Sequence, residues 1–181
     1  MNDIVEKIIL LYEEKGGSTY GGEAVTQAQH ALQGALFAKN ANSSSAQITA
    51  VLLHDIGHLL HDLPDDAPEN GVDDVHEELA ATFLRTHFID EVTEPVRLHV
   101  AAKRYLASKK EGYYDLLSEP SKISLELQGG PMSDSECIEF EQNPYFQKSV
   151  ELRLWDDMAK DPNIVTPEIR AFASDIEASL R

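Results

Sequence analysis

Histidines and aspartates form the pattern in this sequence that is most suited to binding a metal ion or to catalysis. The motif HDIGH occupies residues 54–58, inside the apolar segment 48–60. Burying imidazole and carboxylate groups among leucine and valine side chains is costly unless another group pairs with them. A metal ion is one such partner. For the motif taken alone, the alternative is a histidine bonded to a backbone carbonyl beside an exposed aspartate.

Three more histidines and one more aspartate lie on other segments. His30, His76 and His99 have apolar or small neighbours, and Asp156 directly follows a tryptophan. The donors together are four histidines and two aspartates: His30, His54, Asp55, His76, His99 and Asp156. Six nitrogen and oxygen donors suit iron, manganese or zinc and exceed what one tetrahedral ion needs. Because a carboxylate such as Asp55 can bridge two ions, the donor count predicts a dinuclear metal site.

Helical spacing places other polar residues beside these donors. Glu23 precedes His30 by seven residues, which on a helix would put both side chains on one face. His54 and His58, and likewise His99 and Lys103, are four residues apart, so each second residue would lie over the same side of its helix. We therefore expect Glu23, His58 and Lys103 to border the metal site.

The elements that must position these residues are predicted to be helices only. Apolar residues recur at helical spacing, and no segment alternates as a half-buried strand does. An all-α fold is predicted, with helices over about residues 4–15, 23–40, 46–60, 73–87, 91–109 and 113–127, the last broken near Pro120. Ser133 and Glu136 predict a capping box for a short helix. A further helix carries Asp156, and Thr166 is predicted to cap the last one.

Composition excludes several classes of protein. The 181 residues include 15 Lys and Arg against 32 Asp and Glu, a formal charge of −17. A nucleic acid or an anionic membrane surface would be repelled by this charge. The one cysteine, Cys137, has no partner for an internal disulfide, and the first residues lack a secretory signal pattern. No apolar run approaches the roughly 18 residues of a membrane span. We expect a cytoplasmic protein without nucleic-acid or membrane partners.

The order of the donors resembles the HD-domain superfamily, whose members include many metal-dependent phosphohydrolases. Five longer motifs narrow the resemblance: YGGE at 20–23, HDIGH at 54–58, HVAAKRYL at 99–106, QGGPM at 128–132 and RLWD at 153–156. They look like those of the PhnZ-type HD-domain oxygenases, mixed-valent di-iron enzymes that cleave C–P bonds. The resemblance spans roughly residues 4–160. It implies a single HD-domain helical bundle over 1–181 with a C-terminal helical extension.

The resemblance also implies roles for individual residues. One iron would be held by His30, His54, Asp55 and Asp156, and the other by Asp55, His76 and His99. The phosphonate would be bound by Lys103, His58 and Arg153, with Ser124 and Gln128 as further contacts. Tyr20 would cap the open iron position in the absence of substrate, and Glu23 would receive a substrate ammonium.

The function implied is O₂-dependent cleavage of a zwitterionic hydroxyphosphonate, (R)-1-hydroxy-2-aminoethylphosphonate or its trimethylammonio analogue. The products would be phosphate and glycine or glycine betaine, and the cofactors two iron ions as an Fe(II)/Fe(III) pair. One alternative is a metal-dependent HD phosphohydrolase that acts on a small phosphate ester and needs no oxygen. Another is a non-catalytic HD module that binds a ligand.

Overall fold

The computed structural model describes residues 2–60 and 76–181, and the described residues form an all-α fold. The helices are α1 (Asp3–Lys15), α2 (Gln27–Asn40), α3 (Ser45–Leu53), α4 (Ile56–Leu60), α5 (His76–Arg85), α6 (Asp90–Lys109), α7 (Tyr113–Leu116), α8 (Glu119–Leu127), α9 (Asp134–Glu141), α10 (Phe146–Met158) and α11 (Ala173–Ala178), with a 3-10 helix over Ile169–Phe172 before α11. The predicted loop at 62–71 and the predicted Asp73 or Asp74 cap lie outside the described residues.

Local signals explain where several helices begin and end. α1 ends at Gly16, and α7 and α8 are separated just before Pro120, as the sequence predicts. The capping box of Ser133 and Glu136 is present at the start of α9. In such a box each partner satisfies a backbone donor of the first helical turn, which has no acceptor within the helix. The polar side chains at these positions therefore fix the helix ends.

Three sequence predictions about helices are wrong. α2 begins at Gln27 rather than near Glu23, because a capping box of Thr26 and Gln29 starts the helix there. Glu23 therefore lies in the preceding loop and not on one helical face with His30. The C-terminal segment begins as a 3-10 helix with Glu168 at its N-cap position, so Thr166 caps no helix.

The third difference concerns the helix predicted over 46–60, which breaks at the metal-binding motif. α3 ends at Leu53 and α4 begins at Ile56, so His54 and Asp55 lie in the turn between them. The His54 ring bonds the Val51 carbonyl with its Nδ1 atom at 2.8 Å. In a continuing helix that carbonyl would accept the amide of residue 55. The break thus turns two consecutive side chains toward one centre.

The helices that carry the candidate ligands pack on one another. α6 contacts α3, α5 and α10, and α2 contacts α3 and α10. The main apolar core extends from α1 to α11 and includes the buried apolar residues of α3. Among the described residues, none of the helices has both the length and the apolar character required to cross a membrane. The single-domain boundaries over 1–181 stay a prediction.

Gly57 marks a close approach between α4 and α5. A Cβ atom added to Gly57 would lie 2.1 Å from the carbonyl oxygen of His76 and 3.0 Å from its Cα. Such distances are far below van der Waals contact, so any side chain at this position would push the start of α5 away. The glycine of the HDIGH motif therefore allows His76 to approach the motif's own helix.

Candidate metal centre and adjoining cationic pocket

The structure brings together all six predicted metal ligands. His30 lies on α2, His54 and Asp55 in the turn between α3 and α4, His76 at the start of α5, His99 on α6 and Asp156 on α10. All six side chains are buried. Among the described residues, three overlapping groups have donor atoms close enough to hold a metal ion: His30, His54 and Asp156; His54, Asp55 and His99; and Asp55, His58 and His76.

Three of the histidine rings are oriented by backbone carbonyls. The Nδ1 atoms of His30, His54 and His99 lie 2.9, 2.8 and 2.7 Å from the carbonyls of Ala159, Val51 and Val96, in that order. A carbonyl oxygen only accepts, so each Nδ1 carries a proton and donates it. In a neutral ring this leaves the Nε2 lone pair free to bind a metal, which is the usual way that proteins orient histidine ligands.

The Nε2 atoms face one another in two pairs. His30 and His54 have Nε2 atoms 3.2 Å apart, and His76 and His99 have theirs at the same separation. Two nitrogens bound at right angles to one ion at about 2.1 Å would lie about 3.0 Å apart. Facing lone pairs repel unless a proton or another cation lies between them. Both pairs therefore suit cation binding.

The carboxylate of Asp55 lies between the two histidine pairs. Its Oδ2 is 3.5 Å from His30 Nε2 and 3.2 Å from His54 Nε2. Its Oδ1 is 3.3 Å from His76 Nε2 and 3.5 Å from His99 Nε2. One oxygen thus faces each pair, which is the arrangement that a carboxylate bridging two metal ions requires.

Asp156 completes the first pair. Its Oδ1 lies 3.4 Å from His30 Nε2, and its Oδ2 lies 3.7 Å from His54 Nε2. Within the described part of the chain, neither Asp156 Oδ1 nor Asp55 Oδ1 has a hydrogen-bond partner although both are buried. Buried carboxylate oxygens without partners are expensive. The residues present therefore fit a pair of metal ions, because such ions would satisfy both oxygens and all four Nε2 atoms.

The ionisation of the side chains at this centre favours the binding of cations. Burial opposes the ionised form of Asp55, but His54 and His30 hold the pKa of this carboxyl well below its usual range. Burial likewise opposes the charged form of His54, but Asp55 and Asp156 raise its pKa to about 10. In the metal-free chain, a protonated His54 ring therefore balances part of the charge of the ionised carboxylates. Metal binding must release this proton, as it does at histidine sites generally.

Tyr20 covers one side of the first histidine pair. Its ring stacks on the His30 ring with the centroids 3.8 Å apart. Burial, together with the nearby charges of Asp156 and Asp55, raises the pKa of this hydroxyl well above its usual value. The phenol is therefore neutral and lies where the sequence predicts a cap over the metal.

A short loop holds Tyr20 in this position. The Tyr20 amide donates to the Val25 carbonyl at 2.9 Å, and the Glu23 amide donates to the Tyr20 carbonyl at 2.7 Å. Gly21 and Gly22 have φ values of 43° and 78°, in the left-handed region that glycine adopts without strain. The two consecutive glycines therefore close the turn that links Tyr20 to Glu23.

Two cations predicted to bind phosphonate lie beside the centre. Lys103 is buried on α6 and donates to Ser124 Oγ at 2.8 Å. Arg153 is buried on α10, its Nη1 2.8 Å from Asp156 Oδ2 and its Nη2 on Asp157, while its Nε donates to the Tyr113 hydroxyl at 3.3 Å. Burial and the neighbouring Arg153 lower the pKa of Lys103 to about 7. We call Lys103 and Arg153 the cationic pocket.

The other predicted contacts lie close by. His58 stacks on His76 with ring centroids 4.2 Å apart. Ser124 lies on α8, and Gln128 at its end has a buried Oε1 atom without a hydrogen-bond partner in the described residues. Arg104 supports the turn that follows Gln128 by donating to the Gly130 carbonyl at 2.8 Å.

A second lysine near the site was not predicted from the sequence. Lys160 follows α10 and donates to Glu23 Oε1 at 3.0 Å and to Ser121 Oγ at 2.9 Å. Ser118, which caps α8, also donates to Glu23. Two signals could have indicated this group. Lys160 lies four residues after Asp156, and Ser118, Ser121 and Ser124 recur every three residues along one helix.

Comparison with known proteins connects this geometry to an enzyme family. The hydroxymethylphosphonate dioxygenase of Gimesia maris is 44% identical over 178 residues, covering 97% of this chain and 89% of that protein. A [1-hydroxy-2-(trimethylamino)ethyl]phosphonate dioxygenase (glycine-betaine-forming) of Leisingera caerulea is 41% identical, covering 94% and 87%. An uncharacterized protein of Acanthamoeba polyphaga mimivirus is 39% identical over 86% of this chain and 72% of its own length.

No protein-family model matches the chain. The first two relatives nevertheless cover almost the whole sequence at identities above 40%. They include all the segments that carry the candidate metal centre. The resemblance drawn from the sequence motifs is confirmed, and the chain belongs to the family of HD-domain phosphonate dioxygenases.

Proposed function

We propose that this protein uses O₂ to cleave the C–P bond of a 1-hydroxyphosphonate at two iron ions that work as an Fe(II)/Fe(III) pair. The observation that carries the proposal is the position of Asp55, with one carboxylate oxygen toward each histidine pair, beside a buried cationic pocket. The family membership adds the reaction class. The two named relatives are dioxygenases of hydroxymethylphosphonate and of [1-hydroxy-2-(trimethylamino)ethyl]phosphonate.

In this proposal, His30, His54 and Asp156 would hold one iron and His76 and His99 the other, and Asp55 would be shared by both. The iron pair, when bound, supplies the redox chemistry that activates dioxygen and oxidises C1. The overall reaction converts R–CH(OH)–PO₃²⁻ and O₂ into R–COO⁻, HPO₄²⁻ and one proton. The C–P and C1–H bonds are replaced by bonds to oxygen, and both atoms of O₂ are retained in the products.

The chain's own residues bind and orient the substrate. Lys103 and Arg153 attract the phosphonate charge, with His58, Ser124 and Gln128 as neighbouring donors. Arg153 already binds Asp156 and Asp157, so a phosphonate would share this guanidinium with the two carboxylates. Because Lys103 and Arg153 are buried, the phosphonate loses its water shell on binding, and charge-assisted hydrogen bonds replace it.

Tyr20 excludes water from the centre until a substrate takes its place. The stacking of its ring on His30 shields that ligand, and a bound substrate hydroxyl would need the space of the phenol. Displacement costs the stacking of the Tyr20 ring on His30. We expect binding of the hydroxyphosphonate to supply this free energy, so that the site opens only when a substrate is present.

The decisive experiment measures phosphate release and O₂ consumption by the iron-loaded protein. The substrates are hydroxymethylphosphonate, 2-amino-1-hydroxyethylphosphonate and its trimethyl analogue, each with and without O₂. We expect oxygen-dependent phosphate release with one O₂ consumed per phosphate. Anaerobic release, or comparable kcat/KM on phosphate monoesters, would indicate a hydrolase instead. An S = 1/2 EPR signal tests the mixed-valent pair, and full activity of a zinc-only protein would contradict it.

A further inference from the structure

The ammonium group of Lys160 occupies a cage of three oxygens. Its Nζ lies 3.0 Å from Glu23 Oε1, 3.3 Å from Ser118 Oγ and 2.9 Å from Ser121 Oγ. A lysine ammonium has three N–H donors, and the cage offers three acceptors. Lys160 and Glu23 each expose only 14% of their side chains. We call Glu23, Ser118 and Ser121 the ammonium cage.

The ammonium cage borders the metal centre. Lys160 Nζ lies 5.9 Å from the centroid of the Tyr20 ring, which in turn stacks on His30. Glu23 belongs to the same turn as Tyr20, and its amide bonds the Tyr20 carbonyl. A substrate that displaces Tyr20 from the metal centre would therefore place its far end next to the ammonium cage.

The cage suits a cationic nitrogen, and the chain already provides one. A primary ammonium on a substrate is chemically the same group as the Lys160 side chain and would need the same three acceptors. A trimethylammonium group forms no hydrogen bonds but depends on an uncompensated negative charge and on aromatic faces. Lys160 neutralises Glu23 and lies over the Tyr20 ring, so it competes with both kinds of substrate.

We propose that Lys160 is a specificity-determining residue that fills the ammonium cage and thereby disfavours hydroxyphosphonates with a cationic nitrogen relative to hydroxymethylphosphonate. The inference rests on the proposed function, because it concerns the substrate of that reaction. A merely structural Lys160 would support the Tyr20 turn, and its loss would reduce turnover of every hydroxyphosphonate by the same factor. The ratio between substrates separates the two roles.

The first experiment compares kcat/KM for the three hydroxyphosphonates in wild type and in Lys160→Met. We expect the ratio of either cationic substrate to hydroxymethylphosphonate to rise about tenfold, which corresponds to about 1.4 kcal/mol. Lys160→Gln removes the charge but keeps a donor for the cage, and we expect the same direction of change. Lys122→Met is the matched control, because Lys122 lies on α8 but pairs with Glu119 outside the cage. That control should leave the ratio unchanged.

The second experiment tests whether the gain depends on Glu23. In the double variant Glu23→Gln, Lys160→Met, the ratio should return to near the wild-type value, because the negative charge that attracts the substrate cation is gone. A binding measurement provides a readout without turnover. By calorimetry, Lys160→Met should tighten 2-aminoethylphosphonate relative to methylphosphonate, since both compounds lack the C1 hydroxyl.

The outcomes distinguish this inference from the proposed function. A substrate ratio that stays within twofold of wild type, with oxygen-dependent turnover intact, overturns the role of Lys160 and leaves the oxygenase in place. If wild type turns over no hydroxyphosphonate, the proposed function fails, and the two binding constants still decide whether Lys160 competes for the cage. If Lys160→Met does not fold, the same measurements on Lys160→Gln decide the question.

Discussion

In the metal centre, Asp55 Oδ1 and Asp156 Oδ1 are buried without hydrogen-bond partners in the described residues, and histidine Nε2 atoms face one another in pairs. In the cationic pocket and the ammonium cage next to it, each positive group already has partners within the chain. Lys103 binds Ser124, and Arg153 binds two aspartates. The two regions are adjacent, yet only the first needs charges that the chain does not supply.

The two regions therefore gain free energy from their ligands in different ways. The metal centre gains free energy from any cation of suitable size, because cations satisfy groups that otherwise stay unsatisfied. The pocket must instead exchange one set of partners for another when a phosphonate or an ammonium binds. Such an exchange is worth only the difference between two sets of contacts, and that difference determines which substrate is preferred.

Removal of the shared carboxylate should have the largest effect. Asp55→Ala deletes the only group that faces both histidine pairs in the described residues, and we expect iron to fall from about two per chain to near zero, with activity lost by at least about 100-fold. Metal analysis and the phosphate-release assay measure this. Asp175→Ala is the control, because Asp175 is a buried carboxylate that binds Lys39 and Ser45 away from the centre. Full iron retention in Asp55→Ala would remove the bridging role.

Arg153→Met tests the idea that the pocket is paired internally. This change leaves Asp156 and Asp157 without their guanidinium partner inside the protein, and we expect unfolding in urea to become easier by about 3–5 kcal/mol. Arg170→Met provides the comparison, because Arg170 pairs with Glu6 and Glu13 at the surface. Its loss should change stability far less. Equal effects of the two substitutions on the free energy of unfolding would show that the buried ion pairs of Arg153 stabilise the fold no more than the surface pairs of Arg170.

The charge of Lys103 should make substrate binding depend on pH. Since its pKa is lowered to about 7, the ammonium loses its proton as the pH rises above 7, and the phosphonate then loses a cationic partner. We expect KM to rise toward about tenfold per pH unit in this range. Lys103→Arg keeps its charge and should flatten the profile. An equally steep rise in that variant would assign the pH dependence to another group.

Of these substitutions, Tyr20→Phe should have the smallest effect on stability and on iron content. It removes only the phenolic oxygen and keeps the ring stacked on His30. Iron content should stay unchanged, while O₂ consumption in the absence of substrate should increase because no phenolic oxygen is left to occupy the open iron position. Tyr12→Phe is the control, since the Tyr12 hydroxyl binds the Leu52 carbonyl at 2.8 Å. An unchanged background rate in Tyr20→Phe would return Tyr20 to a packing role.

The sequence predicts the helical fold and the convergence of the six donors, because histidines and aspartates set among apolar residues are costly to bury unless they share a partner. It does not predict the break at His54 and Asp55, which depends on a ring bonding a backbone carbonyl. Local spacing also assigned Glu23 to a helix that a capping box starts later. Glu23, Ser118 and Lys160 are far apart in the chain, so the serine spacing and the position of Lys160 after Asp156 indicate single members of this group but not that they meet.

The close packing of Gly57 on His76 has a consequence for how the HDIGH motif specifies the centre. Two of its residues, His54 and Asp55, supply a donor of the first histidine pair and the shared carboxylate. Its glycine supplies empty space, into which the backbone of His76 fits. A methyl group there would push His76 away from Asp55 Oδ1. The HDIGH motif thus supplies His54 and Asp55 as donors, and its glycine, which has no side chain, allows His76 to reach the second histidine pair.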